Sequence, residues 1–246
     1  MTLLRSLWVA VGFLTRIPVG DPSRGATVTV SVATAAPWFP FVGLLIGGIQ
    51  GVAWLGFNEL TTPLLSAVLS TAIAALVTGA FHHDGLADIA DAFGGGWDVE
   101  QRMEILKDSR LGTYGTSALI LAFGTEIAAL ASLDPGLGFR ALLGAHVLGR
   151  GIAVGAMLFS PIGGDGLGAS YMSELSSLWG FVALVASFAV CIGLLGLTGL
   201  FAAAVAAVAG AGVVGLAIGK IGGATGDVLG AVFVMAFLAV LVVATF

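Results

Sequence analysis

A chain of 246 residues, 58% hydrophobic and only 9% charged, with a mean hydropathy of +1.08, excludes an ordinary water-soluble domain, in which about a quarter of residues carry charge. The net charge of −5 arises from few groups, and nine scattered basic residues make no nucleic-acid surface, so no nucleic-acid partner is expected. A lone cysteine, Cys191, inside an apolar run excludes a disulfide framework and a thiolate metal site.

In lipid every backbone polar group must be satisfied within the protein, so apolar runs of ~20 residues are read as membrane-crossing helices. Seven such segments lie along the chain, at 32–57, 63–81, 116–133, 139–160, 178–198, 200–219 and 228–246. The expected fold is an all-α polytopic membrane protein, one integral domain over 1–246, with a short interfacial helix in the loop after the second segment. The alternating segments of a transmembrane barrel are not found. Turn residues punctuate the linkers, at Asn58 to Pro63, Asp134-Pro135-Gly136, Pro161 to Gly168 and Gly219 to Gly226. The 38 glycines suit close helix–helix contact.

In chain order, the first stretch, MTLLRSLWVAVGFLTRIPVG, has the outline of a signal peptide, but Arg16 and Pro18 stand where a small-residue cleavage site is wanted. It is expected to be retained as an interfacial or re-entrant helix. Arg16 reads as an anchor at the membrane surface or as a phosphate contact. If the later segments alternate sides, Arg5, Arg16, Arg24, Arg102, Lys107, Arg110 and Lys220 fall on the N-terminal side, with only Arg140 near the other face. That side is therefore expected in the cytoplasm of a multi-pass cell-membrane protein. Segment 82–115 and the loops 161–177 and 219–227 then open to the same compartment.

The strongest signal is 81-FHHDGLADIADAF-93. Seven acidic and three basic residues lie between Asp84 and Arg110. At about 100° per residue, Asp84, Asp88 and Asp91 point within about 60° of one another, as a stripe on the end of the second helix. Carboxylates about 6 Å apart repel by roughly 3 kcal/mol at an effective dielectric of about 20. Protonation, the cations Arg102, Lys107 and Arg110, or a hard divalent ion could offset this, and oxygen ligands without cysteine best match Mg2+. The bland reading is a solvated helix end that marks the membrane boundary. His82 and His83 point about 100° apart, so at most one faces the stripe, in a supporting role rather than as a ligand.

Gly94-Gly95-Gly96 is expected to end that helix. Asp98 and Gln101 form a capping-box pattern for a short surface helix over 98-DVEQRMEILKD-108, expected to fold Asp108 back toward the first three carboxylates. Arg110 and the glycines of 110-RLGTYG-115 follow. This set suits phosphorus-group transfer, which needs charge neutralisation more than covalent help, with Asp84, Asp88, Asp91 and Asp108 as candidate metal ligands or proton acceptor.

Further along, Arg150 lies inside an apolar segment, with His146 one turn earlier. A structural pairing, for instance with Glu126, stands beside binding of an anionic substrate group such as a phosphate, with function favoured because intramembrane ionisable groups so often mark sites. In 222-GGATGD-227 the glycines and Thr225 precede a helix start, so backbone amides could receive a phosphate while Asp227 binds metal or caps the helix. Alone, such a turn is a simple loop with an N-cap.

The run 84-DGLADIADAFGGGWDVEQRMEILKDSRLGTYG-115 resembles the central signature of the cobalamin synthase family, the adenosylcobinamide-GDP ribazoletransferases. The similarity extends to 13-FLTRIPVG-20, 37-PWFPFVGLLIGG-48, Arg150, 165-DGLG-168 and 222-GGATGDVLGA-231. The chain departs from the family's pattern in 161-PIGGDGLG-168, which has no cation before the Gly-Leu-Gly, and at Val232 and Phe233, where an acidic residue is common. The resemblance implies a membrane-embedded, Mg2+-dependent enzyme that joins adenosylcobinamide-GDP to α-ribazole, or to α-ribazole 5′-phosphate, and releases GMP. It implies metal ligands among Asp84, Asp88, Asp91, Asp108 and Asp227, and substrate contacts among Arg16, Arg102, Lys107, Arg110, Arg150 and Thr225. The lipid bilayer is the expected surrounding; a second copy of the chain and other corrinoid-assembly enzymes are candidate partners.

Two other classes share parts of this signature. A CDP-alcohol phosphotransferase or a prenyltransferase also places Mg2+ between aspartates and a diphosphate. An ion-coupled transporter would use Asp84, Glu126, His146 and Arg150 as its route through glycine-interrupted helices.

Overall fold

The computed structural model describes residues 2–20, 31–163 and 172–246; the 165-DGLG-168 motif and Arg24 lie outside the described residues. In chain order it contains α1 (Thr2–Leu14), α2 (Val32–Ala35) continued by a 3-10 turn (Ala36–Trp38), α3 (Phe39–Asn58), α4 (Pro63–Thr78), α5 (Phe81–Gly95), α6 (Val99–Ile105), α7 (Thr113–Ala131), α8 (Pro135–Phe159), α9 (Ser177–Ile221) and α10 (Gly226–Val243). Among the described residues the only β pairing is an isolated bridge between Ile162 and Ala224. The all-α membrane architecture expected from the apolar runs is what the chain adopts.

Among the described residues five helical stretches are long and apolar enough to cross a membrane: 32–58, α7, α8, α9 and α10; α4 and α5 make a sixth if taken together. The expected seven is reached only by counting two arms of α9 separately. At 45 residues a straight α9 would run about 67 Å, over twice the ~30 Å hydrocarbon core. It is broken at Gly196 (φ 61°, ψ −132°). Gly199 lies so close to Cys191, eight residues back, that a Cβ there would stand 2.6 Å from the Cys191 carbonyl oxygen. The chain therefore reverses on itself, and the positive φ explains why glycine stands at the turn.

Helix starts follow the capping chemistry in the sequence. Thr62 caps α4 and Asp134 caps α8, each accepting from the amide three residues on and each followed by a proline whose missing N–H costs nothing there. The central post is α8, buried at every residue from Gly144 to Met157. It packs against α3, α9 and α10. Small residues permit this closeness: a Cβ on Gly43 would meet the His146 carbonyl oxygen at 2.6 Å, and one on Gly47 the Leu142 carbonyl oxygen at 3.1 Å.

The second apolar segment differs from expectation in a way that matters for the site. It does not continue into the carboxylate stripe: α4 and α5 meet at 90°. Gly79 and Ala80 both adopt left-handed backbone (φ 65° and 54°), and both their amides donate to the Ala75 carbonyl. The stripe thus sits on a separate helix turned across the end of the bundle. The α1 region secures this corner, because the Arg16 amide donates to the Val77 carbonyl at 2.7 Å and the Arg16 side chain lies over Gly79, where a Cβ would collide with it.

Candidate active site

Helix α5 is amphipathic, burying His82, Gly85, Ala87, Ile89 and Ala92 while leaving Asp84 exposed and Asp88 half-buried. Its buried face crosses the start of α10 at backbone distance. A Cβ on Gly85 would stand 2.9 Å from the Asp227 carbonyl oxygen, and one on Gly230 would stand 3.1 Å from that of His82. This crossing sets Asp84 and Asp88 beside Asp227 at the N-terminus of α10, whose partial positive charge favours anions.

The carboxylates of Asp84 and Asp88 have no hydrogen-bond partner among the described residues. Burial, then the charges of Asp84, Asp227 and Asp91, push the Asp88 carboxyl up to about 6. The crowding predicted from the spacing is therefore real, and Asp227, from a distant stretch of chain, adds to it.

The other acidic candidates are placed differently. Asp91 accepts from the Gly112 amide at 2.7 Å with one oxygen and from the Gly115 amide at 2.9 Å with the other. It ties the start of α7 to α5, and a Cβ on either glycine would collide with it. Asp108 does not fold back to the stripe. Arg110, two residues on, forks onto it with Nη2–Oδ2 at 2.6 Å and Nε–Oδ1 at 3.0 Å, and holds its carboxyl down at about 2. A short helix does stand in the expected stretch, as α6, seven residues long, with Asp98 accepting from the Gln101 amide. The Gln101 side chain accepts from the Trp97 amide, one residue before the cap. The helix α5 runs through Gly94 and Gly95 and ends at Gly96, slightly later than expected.

Among the cationic candidates, Lys107 and Arg110 are exposed on the segment between α6 and α7, and Arg16 is exposed at the α4–α5 corner. Arg102 is occupied by the backbone, donating to the carbonyls of Gly96, Trp97 and Lys220 at 3.0–3.1 Å. Lys220 donates to the Phe93 carbonyl at 3.1 Å. Together they lash the ends of α5 and α9 to one another. Arg150 is 1% exposed in the bundle interior, in a cavity lined also by His82 and His83 of α5, and bonds His146.

The two glycine-rich loops meet. The Gly163 amide donates to Ala224 at 2.9 Å and the Ala224 amide to Pro161 at 2.8 Å. Gly163 and Gly223 pass too close for any side chain. Thr225 caps α10 by accepting from the Val228 amide at 3.3 Å. The loops at 160–163 and 222–225 and the α5–α6 segment thus occupy one end of the bundle.

Sequence reasoning missed the interior partners Gln50 and Thr71, both bonded to Glu126. A lone glutamine within an apolar run was the available signal. Nor did it single out Gly85, for which no local signal distinguishes one glycine among many.

Donor chemistry decides how well Mg2+ fits here. Among the described residues no three His, Cys, Asp or Glu side chains stand close enough to hold an ion by themselves. Mg2+ seldom needs that, since it usually takes one or two carboxylates and completes its octahedron with water and substrate phosphate oxygens. Asp84, Asp88 and Asp227 suit this second mode.

Comparison with known proteins points to one family. The family model for cobalamin-5-phosphate synthase matches residues 6–245. An adenosylcobinamide-GDP ribazoletransferase of Bradyrhizobium diazoefficiens is 38% identical over 232 residues, covering 93% of this chain and 88% of the relative. One from Shewanella pealeana is 37% identical, covering 93% and 90%, and one from Rhizobium etli is 38% identical, covering 90% and 89%. No solved structure matches.

Proposed function

The chain belongs to the cobalamin-5-phosphate synthase family, and from that premise we propose that the acidic mouth formed by α5 and the start of α10 is where its transfer reaction takes place. The protein is a membrane transferase of cobalamin biosynthesis, an adenosylcobinamide-GDP ribazoletransferase. The membership disfavours both the CDP-alcohol phosphotransferase and the transporter readings. The acceptor is α-ribazole or its 5′-phosphate, and the mouth faces the cytoplasm, as the basic residues around it favour.

A hydroxyl of the ribazole attacks the phosphorus next to the corrinoid. A new P–O bond forms, the bond to the bridging oxygen breaks, and GMP leaves with that oxygen. Two of Asp84, Asp88 and Asp227 would hold Mg2+, which would supply neutralisation of the charge that builds on the phosphoryl oxygens. The chain's own contribution is to present these carboxylates on two helices fixed by the Gly85–Asp227 crossing. One carboxylate left free of the ion takes the proton from the attacking hydroxyl. Exposed Lys107, on the segment after α6, is the cation that would attract a polyanionic substrate, since Arg110 is paired with Asp108.

The observation that carries this reading is the convergence of Asp84, Asp88 and Asp227; burial first, and then the neighbouring carboxylate charges, raise the Asp88 carboxyl to about 6. Asp84→Asn and Asp88→Asn are expected to lower GMP release by roughly 100-fold or more, the scale of losing a group that stabilises transition-state charge. Membrane insertion should persist. Near-normal turnover in both variants would overturn the assignment.

A further inference from the structure

Beneath α5 the bundle interior contains a chain of polar side chains to which the transfer step proposed above assigns no part. Arg150 Nη1 bonds His146 Nδ1 at 2.9 Å, His146 Nε2 bonds the Gln50 side-chain oxygen at 2.7 Å, and Gln50 Nε2 donates to Glu126 Oε1 at 2.7 Å. Thr71 donates to the same Glu126 oxygen at 2.9 Å. Arginine can only donate, so every direction is fixed. His146 must accept at Nδ1 and carry its proton on Nε2, and Gln50 must accept from it and donate onward. The relay therefore runs one way, from a cation on α8 through α3 to a carboxylate on α7. Each bond polarises the next.

One end of the relay is incomplete. Arg150 Nε and Nη2 are buried with no partner among the described residues, and so is His83 Nε2 on α5. These residues line one partly enclosed cavity, with about 20 Å³ of room for water. A single water needs roughly 10–15 Å³ by that measure and typically makes about three bonds. Rings close the cavity's sides: His83 stacks on Phe123 with centroids 4.3 Å apart, and the Arg150 guanidinium lies 4.4 Å above Phe233. That room suits a water, and leaving three buried polar atoms unmatched is costly.

We propose that one buried water accepts from Arg150 Nε and Nη2 and donates to His83 Nε2, tying the Arg150–His146–Gln50–Glu126 relay to the helix that carries Asp84 and Asp88. Arg150 and His83 are then positioning residues. His83 precedes Asp84 directly, so its orientation governs the first carboxylate of the stripe.

Three measurements on the full-length protein test this. A high-resolution structure in lipid nanodiscs should show density within hydrogen-bonding distance of both Arg150 and His83; a dry gap or direct contact between the two side chains overturns the proposal. Thermal melting in detergent reads the link without any dependence on the reaction. His83→Phe combined with Arg150→Lys should lower the melting temperature no further than the worse single change, whereas full summation of the two drops contradicts a shared bridge. For positioning, His83→Phe should lower kcat by about tenfold, the scale for groups that orient metal ligands, with KM unchanged. Recovery in His83→Gln supports the role, and equal loss in both variants removes it.

Discussion

At the scale of single residues, three aspartates that share a stripe in the sequence have two different roles. The period of four and three residues makes the stripe legible, because helical geometry alone places Asp84, Asp88 and Asp91 on one face. Their partners were not legible, because they come from elsewhere in the chain: Asp227 reaches Asp84 and Asp88, while the Gly112 and Gly115 amides engage Asp91. Asp91→Asn should accordingly behave unlike its neighbours. An amide side chain can accept one of the two backbone bonds but presents an NH2 to the other donor, so stability should fall by about 1–3 kcal/mol. Thermal melting checks this, and a melting temperature equal to that of the unmodified protein would return Asp91 to the metal site. Asp108 makes the same point from the other direction. Its four-residue recurrence with Glu100 and Glu104 suggested a shared face, but Arg110 two residues away captures it first.

At the scale of elements, the helices were legible and their junctions less so. Thr62-Pro63, Asp134-Pro135 and Asp98 mark real starts, since capping is a local interaction encoded within four residues. The 90° corner between α4 and α5 was hidden because the apolar run crosses it without interruption, and only Gly79 hints at it. Ala80 gives no hint at all, since alanine seldom adopts a positive φ. The crossing of α5 and α10 is equally non-local, yet it assembles the mouth. Gly85→Ala places a methyl group 2.9 Å from the Asp227 carbonyl oxygen, a contact that backbone must move to relieve. Overpacking of this kind costs about 1–3 kcal/mol, and the displaced Asp227 should lower turnover more than tenfold. Melting and GMP release measured on the same preparation test it; full activity would show that the two helices need not touch there.

At the scale of the whole molecule, composition foretold a helical membrane protein, and the placement of loops gives it two unlike ends. Polar chemistry gathers at the end holding the α5–α6 segment, the Ile162–Ala224 bridge and Lys220, while Trp54 bonds Pro135 at the other. Cys191 is buried, so an added cysteine can report topology against a silent background. A thiol at Lys107 should be labelled only from the cytoplasmic side and one at Leu60 only from the opposite side; the reverse pattern would invert the proposed orientation. The central claim is that carboxylates on α5 and α10 act through a divalent ion shared with the substrate diphosphate. Its most direct test is GMP release by the purified protein from adenosylcobinamide-GDP and α-ribazole, titrated with Mg2+ after chelation. The account predicts no turnover without the ion and recovery on its return, with Asp88→Asn unresponsive; undiminished turnover in chelated enzyme would contradict it.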